Sequence, residues 1–147
     1  MSFIKKSFIH EINKQILKEP KDKESNEYIN YCAKIISLNA EVGNKVSDLE
    51  ILITKLSVLE SKLTKIRKEV EVAKERLNST LTKKDVSKKI KESLVKQLEI
   101  LTNKYKGHTQ EFNKKIEEHN KFTKKWGKLK DLKKLEKKLD EKLRRLI

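Results

Sequence analysis

The residues of this chain that could do chemistry are few and scattered. His108 and His119 stand eleven apart and can share one helix face, but no third ligand follows at zinc spacing. Cys32 is the only cysteine, so no intramolecular disulfide forms, and its plain reading is a small side chain on or near a helix face. Glu117 and Glu118 read as ordinary surface carboxylates on a helix. Three scattered glycines build no phosphate-cradling loop. We therefore expect no enzyme, no catalytic residue, no cofactor site and no metal site. The recognition chemistry that remains is charge and one aromatic ring, Trp126 in Lys124-Lys125-Trp126-Gly127-Lys128.

The charge is large and uneven. The 147 residues carry 37 basic and 22 acidic side chains, a net charge of +15. Residues 1–82 hold 15 basic against 12 acidic, and residues 83–147 hold 22 against 10. Such asymmetry points to an acidic partner: a protein surface, nucleic acid or anionic lipid. Within residues 121–147, 12 basic residues face 4 acidic ones. Only four of the 37 are Arg, and no base-reading motif is present, which weighs against nucleic acid. The plain alternative for all this charge is a solvated helix surface.

The elements that must position these groups are helices. With 40% charged and 35% hydrophobic residues, and only three Gly and one Pro, the composition is that of coiled coils. Ile4, Phe8, Ile12 and Ile16, flanked by Phe3, Ile9 and Leu17, give residues 3–17 one greasy helical face. Pro20 ends that N-terminal segment, 1–20, and a linker covers 21–25. Ser25 or Asn26 can cap the next helix. From Tyr28 a heptad runs with a positions Tyr28, Ile35, Val42, Leu49, Leu56, Leu63, Val70 and Leu77. Its d positions are Tyr31, Leu38, Lys45, Leu52, Leu59, Ile66, Ala73 and Thr80. Lys45, beside Gly43 and Asn44, is the flaw in this seam.

The cluster Asn78-Ser79-Thr80-Leu81-Thr82 predicts a turn, with Thr82 and Asp85 spaced as a capping box. A second apolar series then runs Val86, Ile90, Leu94, Leu98, Leu101, Tyr105, Phe112, Ile116, Phe122, Trp126, Leu129, Leu132, Leu135, Leu139, Leu143 and Leu146, with His108 and His119 filling gaps. The expected fold is all-α: a long antiparallel two-helix coiled-coil hairpin over 26–147, with arms of about 26–79 and 83–147, preceded by a short amphipathic helix. A turn centred near residue 81 would set Gly43–Lys45 across from Glu117–His119. A single unbroken helix that dimerises is the competing architecture, and the Ser/Thr/Asn cluster argues against it. The candidate partner-binding residues are Leu81 and Asp85 at the turn, Trp126, and Lys137, Lys138, Arg144 and Arg145 near the C-terminal end.

The segment Asn78-Ser79-Thr80-Leu81-Thr82-Lys83-Lys84-Asp85-Val86 resembles the mid-chain turn of type III secretion central-stalk proteins of the FliJ/YscO type. The basic, aromatic-bearing stretch Lys121 to Lys128 is similar to theirs as well. The likeness spans roughly residues 28–130, and the segment 3–17 with its linker departs from the pattern. What the resemblance implies is a non-enzymatic stalk that docks on a hexameric secretion ATPase and an export gate protein, with secretion chaperones as further partners. Two other readings stay open: a basic nucleic-acid-binding coiled coil, and a membrane-surface protein that uses residues 3–17 as an interfacial helix. No apolar run approaches the ~20 residues of a membrane span, and the N-terminal stretch lacks the apolar core of a secretory signal. A cytoplasmic location is expected, and the family resemblance would put it at the inner face of a bacterial inner membrane.

Overall fold

The computed structural model describes residues 7–83 and 85–146. Phe3 and Ile4 of the expected greasy face, and Lys84 of the expected turn, lie outside the described residues. Four helices and no strand are found among the described residues: α1 (Phe8–Ile16), α2 (Asn26–Leu81), α3 (Lys88–Trp126) and α4 (Leu129–Leu146). The long helices α2 and α3 pack against each other as an antiparallel hairpin. The contacts divide the chain into two units, residues 54–117 and the remainder.

In the unit of residues 54–117 the heptad holds to the residue. Over residues 54–80 every a and d position is buried or half-buried and every other position is exposed. Only Leu59, Ile66 and Ala73, all at d, are buried there. Two helices alone cover a narrow stripe, so the seam is thin. From Lys91 to Phe112 of α3 the half-buried residues include Lys91, Leu94, Leu98, Leu101, Tyr105, His108 and Phe112, in alternating steps of three and four, with Thr102 and Thr109 half-buried beside them. Ile90, expected on the seam, is exposed, because that alternation selects Lys91 instead.

The turn lies later than the sequence predicts. The hydroxyl of Thr80 donates to Arg76 O at 2.7 Å and that of Thr82 to Ser79 O at 2.8 Å, so the polar cluster is satisfied within the helix. Helix α2 therefore continues to Leu81. The cap of α3 is Ser87, whose Oγ accepts from Ile90 N at 3.3 Å, and not a Thr82–Asp85 box. The arm boundaries shift with it, from about 79 and 83 to Leu81 and Lys88.

The other unit is thicker. Ser7 caps α1, accepting from His10 N at 3.1 Å, and Ser25 caps α2, accepting from Tyr28 N at 3.2 Å. Ile12 and Ile16 of α1 are buried with Tyr31, Ile35, Leu38, Val42, Val46 and Leu49 of α2 and with Leu132, Leu135 and Leu139 of α4. Here α2 is covered at e as well as a and d: Val46 is buried, and Cys32 and Asn39 are half-buried. Packing by α1 and α4 widens the buried stripe. Leu17, expected on the greasy face, is 80% exposed, because α1 ends one residue earlier.

The second arm is not one helix to the end. Gly127 has φ +121°, a conformation costly for any residue with a Cβ, and it separates α3 from α4. A Cβ there would also stand 2.5 Å from Ile9 Cδ1. Glycine thus both breaks the arm and admits α1.

Candidate functional site

Trp126, the last residue of α3, is half-buried, and three side chains surround its ring. Phe8 of α1 meets it edge-on, with ring centroids 5.0 Å apart. Lys45 Nζ lies 4.0 Å and Lys125 Nζ 4.7 Å from the ring centroid. Lys45 is thus no flaw. Its charge rests on the π face of an aromatic ring, where a half-buried ammonium is stabilised by roughly 0.5–2 kcal/mol. The sequence register had placed Lys45 opposite Glu117–His119. The later turn brings Trp126 there instead. Gly43 lies beside α4, where an added Cβ would come 3.3 Å from Glu136 Oε2.

The charges of α4 fall into two sets. Lys133 Nζ meets Glu50 Oε1 at 3.2 Å, Lys138 Nζ donates to Asn13 Oδ1 at 2.9 Å, and Lys142 Nζ meets Glu19 Oε2 at 2.9 Å. With the bond from Asn39 Nδ2 to Asp140 Oδ1 at 2.8 Å, these fasten α4 to α1 and α2. Lys138, expected to bind a partner, is therefore engaged with α1. Lys130, Lys134, Lys137, Arg144 and Arg145 are exposed and form no ion pair among the described residues. Spacings of three, four and seven residues put Lys130, Lys134, Lys137 and Arg144 in one stripe.

Beneath this surface, the Tyr31 hydroxyl donates to Ile16 O at 2.6 Å and so satisfies a carbonyl at the end of α1. Burial, then the Glu19 charge, then Cys32 and Tyr28, push the Tyr31 phenol up to about 12. Tyr28 is raised as well, first by desolvation and then by Cys32.

In the other unit, Leu81 is 55% exposed at the last position of α2, and Asp85 is exposed in the turn. Leu81 occupies an e position, which a two-helix seam leaves uncovered. His108 is half-buried with Nδ1 3.8 Å from Glu111 Oε2 and without a hydrogen-bond partner, while His119, in the unit of the chain ends, has Nδ1 3.4 Å from Asn120 Oδ1. Among the described residues, no group of three His, Cys, Asp or Glu gathers as a metal site, and no helix is long and apolar enough to cross a membrane. The grooves are open and lined largely by charged or polar side chains, as between α1 and α4 at Asn13, Thr123, Lys128, Asp131, Lys134 and Lys138.

Sequence reasoning singled out Trp126 and the basic tail as candidates and missed Lys45 and Phe8 as the ring's neighbours. A lysine at a d position, one helix-arm away from a seam tryptophan, was the available signal. What these features define is an all-α helical hairpin with exposed basic surfaces. Comparison with protein-family models, curated proteins and solved structures gives no match.

Proposed function

We propose that this chain is a non-enzymatic coiled-coil adaptor that docks on acidic macromolecular surfaces. Its finer form is a stalk of a type III secretion system, binding a hexameric export ATPase and an export gate protein. The observation that carries the reading is the division of charge on α4. Three lysines are used to fasten the helix, and Lys130, Lys134, Lys137, Arg144 and Arg145 form no ion pair among the described residues. A rigid cationic stripe favours a complementary acidic wall and speeds its encounter. The resemblance of the turn and of Lys121 to Lys128 to the central-stalk family supplies the identity of that wall.

The experiment is an assembly and activity assay with a hexameric secretion ATPase. The intact chain should stimulate the ATPase and favour the hexamer, with no hydrolysis of its own. Charge reversal at Lys137, Arg144 and Arg145 should weaken both effects and leave helicity unchanged. Equal stimulation by the reversed protein would refute docking through α4. No stimulation by either protein would refute the stalk reading.

A further inference from the structure

The greasy face of α1 is not free for a membrane, because Ile12 and Ile16 are buried and Phe8 and Ile9 pack on the same core. One group of exposed apolar side chains among cations lies at the turn of the hairpin formed by residues 54–117. Leu81 is 55% and Ile90 53% exposed, and both flank the turn. Register leaves them there: Leu81 sits at e, and Ile90 is displaced from the seam by Lys91. Around them Arg76, Lys83, Lys88 and Lys89 are exposed, and none forms an ion pair among the described residues. Asp85, Glu75 and Glu92 are the acidic residues nearby in sequence.

We propose that this tip docks on a bilayer surface containing anionic lipid, with Leu81 and Ile90 entering the interfacial layer and the lysines meeting the headgroups. Two exposed aliphatic side chains flanking a turn that is rich in exposed cations suit such a surface. Lysine stems lie along the acyl boundary while their ammonium groups stay at headgroup level. Each lysine near an anionic leaflet adds attraction that falls off within a Debye length. A protein partner is the less fitting occupant. Binding anchors between proteins are enriched in Trp, Tyr and Arg, and residues 76–91 contain no aromatic residue and one Arg. The proposal leaves the α4 stripe to the adaptor reading and, at the turn, replaces the protein partner that the stalk reading would place on Leu81 and Asp85.

The test is sedimentation of the full chain with vesicles of phosphatidylcholine, with and without one third phosphatidylserine. Binding should require phosphatidylserine and weaken as salt rises. Reversing Lys83, Lys88 and Lys89 to Glu should lower partitioning roughly 100-fold. Leu81→Ser with Ile90→Ser should lower it about 10-fold, and the remaining binding should stay salt-dependent. Reversing Lys137, Arg144 and Arg145 should cost less than either. No binding to anionic vesicles, or an equal loss from the α4 reversal, would overturn the proposal. An unaffected Leu81→Ser/Ile90→Ser protein would reassign the tip to an acidic protein surface. These substitutions are at exposed positions, so circular dichroism should show intact helices. As a second measurement, a polarity-sensitive dye at Leu81→Cys in a Cys32→Ser background should shift to the blue on anionic vesicles. Unmoved emission would likewise overturn it.

Discussion

The ammonium of Lys45 lies 4.0 Å from the centroid of the Trp126 ring, so the one charged residue in the heptad seam of α2 is held by the aromatic end of α3. Truncating Trp126 to Ala removes a half-buried ring packed on Phe8 and should destabilise the bundle by about 2–4 kcal/mol. A double-mutant cycle of Lys45→Ala with Trp126→Leu should return a coupling of roughly 0.5–1 kcal/mol, read by urea denaturation. Additive effects would show that the contact contributes nothing to stability.

Two glycines should respond to alanine with opposite signs. At Gly127 the positive φ and the 2.5 Å approach of Ile9 Cδ1 make a methyl group costly, by about 1–3 kcal/mol or more. At Gly107, inside α3, an added Cβ meets nothing within 4 Å. Gly107→Ala should therefore stabilise by roughly 0.5–1 kcal/mol. Denaturation midpoints of the two variants should fall on either side of the parent.

Tyr31 gives the bundle a pH dependence of known sign. Its phenol titrates near 12 in the folded chain against about 10 when unfolded, so folding favours the protonated form. That stability is complete below pH ~10 and is lost as pH rises toward ~12. Lysines titrate in the same range, so the informative quantity is the difference from Tyr31→Phe. The variant should be weaker by about 1–2 kcal/mol at neutral pH, because Ile16 O loses its donor. The gap should close as pH approaches 12. A gap independent of pH would dismiss the hydrogen bond as its cause.

Amide exchange should be uneven. Fully buried Ile35, Val42, Leu49, Leu132 and Leu139 lie in the unit containing both chain ends, whereas the described residues of 54–117 bury only Leu59, Ile66 and Ala73. Amides of residues 54–117 should exchange faster than those of α4 and of residues 31–49 of α2. Uniform protection across the chain would contradict this division.

How much of this was legible in the sequence depends on the range of each interaction. The heptad from Tyr28 to Thr80 determined the seam of α2, because a 3.5-residue apolar period can bury itself only along one stripe. Ser25 as cap and the end of the first helix before Pro20 are likewise local events. The sequence also offers Trp126 and the basic tail as candidate recognition groups.

Tertiary structure decided the rest. The hydroxyls of Thr80 and Thr82 could end a helix or bond back into it, and the observed bonds carry α2 on to Leu81. That displacement reset the pairing of the arms and brought Lys45 to Trp126. Val46 became core because α1 and α4 cover the e stripe, and the same packing tied up Lys138 while Lys137 stays exposed. Gly127 could have been a tolerated helical glycine, and the approach of Ile9 made it a break. Periodicity fixes which face of a helix is apolar, whereas which neighbours cover that face depends on contacts among residues far apart in the chain.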